Sequence, residues 1–273
     1  TKEKTFIFSG GVAMNSVAIN KLVDNHFIDK IIVPPSPGDS GAAIGAAYYG
    51  YLNNNGFNEG TKNRLKNLSL LTPGKPYQDN NSDEIFDIKL KKISDSANYI
   101  EDIAKLISDN KIIATCFQNI ETGPRALGHR SLICNAHSFN TVKELNENIK
   151  SRSPFRPVAP VILEKIAKKY FKLSEKIYET YYYMGAVVNV INKDNIESVV
   201  HKDGTARIQI CDETQFLGKI LESLKKYNIE VIANTSFNIS SDPMVYSKED
   251  ALLAIERMNI KYIITEKGLY KRE

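Results

Sequence analysis

Cysteine and histidine are scarce in this sequence. Its three cysteines, Cys116, Cys134 and Cys211, are odd in number, widely spaced and form no CxxC pair. That excludes a disulfide framework and reads as free thiols in a reducing compartment. The four histidines, His26, His129, His137 and His201, show no HExxH or repeated spacing. A metal site built wholly from this chain is therefore not expected. Long apolar runs are also missing, which removes a transmembrane helix and a membrane partner. Residues 1–8 lack the extended apolar stretch and small-residue cleavage pattern of a secretory leader, so the expected location is the cytoplasm. Neither sign of charge dominates: 36 Lys and Arg stand against 32 Asp and Glu, a net charge of +4. It is shared as +2 over residues 1–80 (8 basic, 6 acidic) and +2 over residues 81–273 (28 basic, 26 acidic). So mild a balance gives no ground for a nucleic-acid partner.

What is present is an ordinary globular composition, 42% apolar and 25% charged over 273 residues, enough for one large domain or two. The first 52 residues read as strand (5–8), helix (12–24), strand (31–33, stopped by Pro34 and Pro35) and helix (40–52). Residues 53–82, rich in Asn, Gly, Pro and Lys, read as a linker. Beyond it, Ala97, Ile100, Ile103, Ala104 and Ile107 place a helix over 94–108, and residues 112–117 make a buried-type strand. Asn140 is positioned to cap a helix that must end before Pro154, and Thr214 to cap one carrying Phe216, Leu217, Ile220, Leu221 and Leu224. Residues 230–233 and 261–264 read as strands, and Ser247-Lys248-Glu249-Asp250 as a capping box. The class is α/β, divided into residues 1–80 and 81–273.

Six stretches carry chemistry. Ser9-Gly10-Gly11-Val12-Ala13-Met14-Asn15 joins a strand to a helix start, where paired glycines let backbone N–H groups approach an anion. Asp39, in Pro37-Gly38-Asp39-Ser40-Gly41, is either a helix N-cap or a carboxylate ligand for a divalent metal. The run from Glu121 to Ser131 sets Arg125 and Arg130 in a loop bounded by glycines, as suits guanidinium groups aimed at a phosphate. Lys150, Arg152 and Arg156 follow, framed by prolines that fix their backbone; eight basic residues meet only three glutamates between Lys143 and Lys172. His201-Lys202-Asp203-Gly204-Thr205-Ala206-Arg207 adds an arginine after a DG turn. Asn234-Thr235-Ser236-Phe237-Asn238 closes a strand with short polar side chains, which in α/β sheets often face a ligand. No Ser/His/Asp or Cys/His nucleophile set occurs, so the chemistry points to electrostatic handling of phosphates.

On these motifs the chain resembles the O-carbamoyltransferases of the nodulation and tobramycin type. Residues 9–15 and 38–41 are similar to the end of that family's actin-like (ASKHA) transfer domain. Gly123-Pro124-Arg125-Ala126-Leu127-Gly128, Ile149-Lys150-Ser151-Arg152 with Phe155-Arg156-Pro157, and the stretches at 201–207 and 234–238 resemble its YrdC-like domain, an α/β domain with a twisted mixed sheet. The resemblance implies that carbamoyl phosphate and ATP, carried with Mg2+, give carbamoyl-adenylate. An actin-like domain holding Fe2+ then passes the carbamoyl group to the hydroxyl of a small-molecule acceptor. It further implies that Arg125, Lys150, Arg156, Arg207 and Ser236 surround carbamoyl phosphate. Arg130, Arg152, His201, Asn234 and Asn238 would bind substrate nearby, Gly10, Gly11 and Asn15 would contact nucleotide, and Asp39 would be the one metal ligand in this chain. Because family members begin with a longer actin-like region, a preceding region or a second polypeptide is expected to complete that domain. A homodimer is also consistent with the resemblance. An exposed apolar face on residues 1–52 is the corollary, since two strands and two helices bury little alone.

Overall fold

Leu132 and Cys134 serve one core and Ile133 between them serves another; Val161-Ile162-Leu163 and Val231-Ile232-Ala233 alternate in the same way. Strands apolar on both faces must be covered on both. The computed structural model describes residues 2–24, 26–66, 84–153, 156, 158–239 and 242–273, and shows that cover.

Strand β1 (Thr5–Ile7) leads through a 3-10 turn (Gly11–Met14) into α1 (Ser16–Val23). Next come β2 (Lys30–Ile32), α2 (Asp39–Asn55) and α3 (Glu59–Lys66). The second part begins with α4 (Glu84–Lys89), β3 (Lys91–Asp95), α5 (Tyr99–Ser108), β4 (Ile113–Thr115) and β5 (Ser131–Asn135). There follow α6 (Phe139–Lys143), a π-helical turn (Glu144–Ile149), β6 (Ala159–Leu163), α7 (Glu164–Tyr170) and a 3-10 stretch (Glu175–Tyr183). The short pair β7 (Val188–Asn189) and β8 (Thr205–Ala206) precedes β9 (Gln209–Cys211), α8 (Phe216–Leu224), β10 (Val231–Ser236), α9 (Lys248–Arg257), β11 (Tyr262–Thr265) and β12 (Gly268–Lys271).

Among the described residues, eight strands form one mixed sheet in the order β3-β12-β11-β4-β5-β10-β6-β9. The pairs β11–β4 and β6–β9 are parallel and the others antiparallel. Ile103, Ala104 and Ile107 of α5 and Leu217, Ile220, Leu221 and Leu224 of α8 cover one face. The other face receives Phe86 of α4, Ala251 and Ile255 of α9, and Ala13, Ile19 and Ile31 from the first part of the chain. Strands β1 and β2 form a separate parallel pair. The first part is tied down by β2 against the 3-10 stretch, by the Tyr183 hydroxyl donating to the Val33 carbonyl, and by Val187 N–H donating to Ser16 O at 3.4 Å.

The α/β class stands, and several element boundaries move. The region read as a linker is helical at its start, since α2 runs to Asn55 and α3 to Lys66; residues 67–83 lie outside the described residues. Residues 94–95 belong to β3, because edge pairing with β12 takes them before the helical apolar spacing begins at Tyr99. Ser138, not Asn140, caps α6 by accepting from Thr141 N–H at 3.3 Å. At α8 the Asp212 carboxylate accepts from Thr214 and Gln215 N–H at 2.8 and 3.3 Å, so Thr214 is held by an Asx turn rather than acting as the cap. The helix expected over 12–24 is broken at Asn15, whose side chain accepts from Ala18 N–H. Gly38 occupies the N-cap position of α2, and Asp39 is its first helical residue. Pro154, Phe155 and Pro157 lie outside the described residues. Ser247 and Asp250 form the expected capping box.

Candidate functional site

Two turns set the stage. Glu121 is buried, and its Oε1 accepts from the backbone N–H groups of Leu127 (2.6 Å), His129 (2.7 Å) and Arg130 (3.3 Å). One carboxylate oxygen thus wraps the 121–130 loop around itself and presents Arg125 at its apex. Gly123, at φ +112°, lets this loop lie against the first part of the chain: a Cβ there would stand 2.9 Å from the Pro35 carbonyl oxygen. Arg125 completes the contact by donating from Nη2 to Met14 O at 3.3 Å. On the other side, antiparallel pairing sets Asn234 of β10 opposite Ala159 of β6. Thr235 follows, and its Oγ1 accepts from Arg152 Nη1 at 3.1 Å.

Arg125, Arg152, Arg156 and Arg207 line one cavity of about 400 Å³, together with His201, Ser16, Val17, Val158, Ala159 and Val187. Among these lining residues there is no Asp or Glu. None of the four arginines forms an ion pair among the described residues. The Nε atoms of Arg152 and Arg207 are buried without a hydrogen-bond partner. Burial and the facing guanidinium groups of Arg125 and Arg152 push Arg207 down to about 9, which leaves it charged at neutral pH. Burial lowers Arg125, and burial with the Arg156 charge lowers Arg152. His201 is lowered by burial and by Arg207, against the pull of Asp203. Burial is the leading cause of each of these shifts, and neighbouring cations add to it at Arg152, His201 and Arg207.

Lys150, Ser236 and Asn238 form a second cluster beside the cavity rather than on its wall. Lys150 is fully buried. Its Nζ donates to Ser236 O (2.7 Å), Asn238 Oδ1 (2.6 Å), Asn238 O and Ser236 Oγ, so its donors are already engaged. Ser236 Oγ in turn donates to Asn238 Oδ1 at 2.6 Å. Burial, then the Arg152 charge, lower Lys150 to about 7. Arg130 is likewise committed to the fold: its guanidinium donates to the carbonyls of Val245 (3.1 Å), Tyr246 (2.8 Å), His129 (3.2 Å) and Phe117. Asn234 is buried between the Ala126 carbonyl and Gln209 Oε1, at 3.1 and 2.9 Å. The structure therefore gathers Arg125, Arg152, Arg156, His201 and Arg207, and keeps Lys150, Arg130, Asn234, Ser236 and Asn238 off the cavity wall.

A second cavity, about 470 Å³, is lined by Ser9, Gly10, Pro34 to Asp39, Gly41 and Tyr48 among others. Gly10 N–H and Ser9 Oγ both donate to Pro37 O, at 2.7 and 3.1 Å, which joins its two loops. Gly11 lies in the 3-10 turn and Asn15 caps α1; neither lines this cavity. Asp39 is its lone carboxylate, and among the described residues no group of three or more His, Cys, Asp or Glu side chains comes together. The described residues therefore do not by themselves make a site for Fe2+. Ser16, Val17 and Val187 are site residues that the motifs did not single out. Ser16 directly follows the Ser9–Asn15 stretch, which was the available signal.

Compared with known families, residues 104–272 match the carbamoyltransferase C-terminus model and residues 1–48 the carbamoyltransferase N-terminus model. The chain belongs to the carbamoyltransferase family. Among curated carbamoyltransferase relatives, nodulation protein NolNO of Sinorhizobium fredii is 28% identical over 98% of this chain and 40% of its own length. Nodulation protein U of Rhizobium tropici is 30% identical over 99% of this chain and 44% of its own length. The chain thus spans less than half the length of these relatives. Among solved structures, full-length HypF in its phosphate- and nucleotide-bound form is similar with a TM-score of 0.47 at 18% identity, covering 63% of this chain and 25% of that one. P. abyssi Sua5 complexed with L-threonine gives a TM-score of 0.42 at 18% identity, covering 63% and 47%. No helix of the described residues is long and apolar enough to cross a membrane.

Proposed function

We propose that the arginine cavity binds carbamoyl phosphate and the phosphates of ATP, and that this part of a carbamoyltransferase forms carbamoyl-adenylate. In the proposed reaction, one carbamoyl phosphate, one ATP and one water give carbamoyl-adenylate, phosphate and pyrophosphate. The carbamoyl group then passes to a hydroxyl of a small-molecule acceptor. The observation that carries this reading is the acid-free convergence of Arg125, Arg152, Arg156 and Arg207 on one space. Each charge-assisted hydrogen bond from such a group contributes about 1.5–3 kcal/mol. Four of them hold a small dianion and offset charge developing on the leaving phosphate, with no protein nucleophile required. Mg2+ arrives with the nucleotide in this reading, since the cavity wall offers it no carboxylate. Lys150 acts by holding the Ser236–Asn238 turn in place behind Arg152.

The chain with ATP and carbamoyl phosphate is expected to release pyrophosphate. Arg125→Ala and Arg207→Ala are each expected to reduce that release by about 100-fold or more. Release at the parent rate in both variants overturns the assignment. The acceptor and the remainder of the transfer site belong to a preceding region or a second polypeptide, with which the first part of this chain would complete an actin-like domain.

A further inference from the structure

We infer that the first turn of α1 is part of the phosphate site, with Ser16 a binding residue alongside the arginines. This rests on the anion reading above and extends it. The ligand would be gripped by both parts of the chain, not by the second alone.

Ser16 and Val17 stand on the same cavity wall as the four arginines. Ser16 is held there from two directions: Val187 N–H donates to its carbonyl at 3.4 Å, and Arg125 donates to the Met14 carbonyl two residues earlier at 3.3 Å. At the start of a helix the leading N–H groups have no partner within the helix. Here Asn15 accepts only from Ala18 N–H with its side chain and Ile19 N–H with its backbone. The N–H groups of Ser16 and Val17 and the Ser16 hydroxyl make no hydrogen bond among the described residues. No acidic residue occupies the first turn of α1, so nothing neutralises its positive end.

Independent pointers to a ligand come from the arginines that share this cavity. The Arg207 guanidinium makes no hydrogen bond among the described residues, and its Nε and that of Arg152 are buried and unpartnered. Backbone N–H groups and a hydroxyl from α1, together with fork-shaped guanidinium donors lining the same cavity, suit a tetrahedral oxyanion of charge two or more. A phosphoryl group, with three terminal oxygens, fits this donor set.

Ser16→Asp separates binding from folding. An acid at the first position of a helix is favourable to that helix, yet it places a negative charge where the anion should sit. Sulfate, whose charge is constant across the neutral range, would be titrated calorimetrically into the chain. The expected result is sulfate affinity at least about tenfold lower in Ser16→Asp, with the anion-free melting temperature unchanged or raised. Ser16→Ala should lose about threefold to fivefold. Lys21→Ala, which removes a cation further along the same helix, should stay within about twofold. Parent affinity in both Ser16 variants, with Arg207→Ala still defective, overturns this inference and leaves the arginine site standing. An equal loss in Lys21→Ala also overturns it, by reducing the effect to general charge. No sulfate binding by the parent chain sinks both readings. Should Ser16→Asp fail to fold, Ser16→Ala decides alone.

Discussion

Lys150 is a buried cation whose donors are taken up by the fold. Its ammonium spans Ser236 and Asn238, and Thr235, the penultimate residue of β10, anchors Arg152. In the unfolded chain its pKa is the ordinary 10.5, whereas burial and Arg152 bring it to about 7 in the fold. Between those values the unfolded chain holds a proton that the folded chain releases. The contribution of Lys150 to stability is therefore smallest below pH 7 and rises with pH across that window. Lys150→Met removes this titration and leaves carbonyl acceptors without a donor. It should destabilise by about 3 kcal/mol. Urea unfolding at pH 6.5 and 9.5 should show the parent gaining on Lys150→Met as pH rises; parallel pH profiles would rule this account out.

At the scale of elements, the 121–130 loop shapes the cavity because it carries Arg125 and packs against the first part of the chain. Gly123 meets the Pro35 carbonyl where a side chain has no room, and its φ of +112° is one that L-residues rarely adopt. Gly123→Ala should cost about 1–3 kcal/mol of stability and move Arg125 off Met14. Sulfate binding should then weaken by more than the fall in stability implies. A variant that melts lower but binds sulfate normally would show that the loop does not position Arg125.

The arginines of this site were legible in the sequence because glycines or prolines bracket them: Gly123 to Gly128 around Arg125, and Gly204 before Arg207. Lys150 and Arg130 carry the same kind of flanking signal, yet they face carbonyls, and sequence spacing does not distinguish a cation aimed at a cavity from one aimed at backbone. The strands β5, β6 and β9 were not assigned from the sequence, since three to five residues buried on both faces give no alternation of polar and apolar positions. Similarly, on sequence alone residues 94–95 of β3 fall at the start of a helix and 91–93 stay unassigned, because pairing with β12 depends on residues about 175 positions away.

For the whole molecule, the first part of the chain is the exposed one. All of β1 is exposed, α2 has no buried residue among those described, and Phe6, Ile7 and Val12 are 50%, 74% and 69% exposed. A two-stranded parallel sheet with an open edge is unusual, because parallel strands are normally covered on both faces. This is the apolar face expected from the sequence. The chain on its own should associate with rising concentration, and Phe6→Ser with Ile7→Ser should shift it toward the monomer in sedimentation velocity. A parent chain that stays monomeric at high concentration would show that the face needs no cover.

The absence of any carboxylate from the wall that carries four guanidinium groups has a practical corollary. On the proposed reading, such a nest would take up whatever oxyanion the surrounding buffer offers. Protein purified in phosphate or from ammonium sulfate would arrive preloaded, and affinities or turnover measured on it would read too low. Handling the protein in chloride-only solutions, with exhaustive dialysis, is the condition under which binding of the proposed phosphorylated substrate is to be measured.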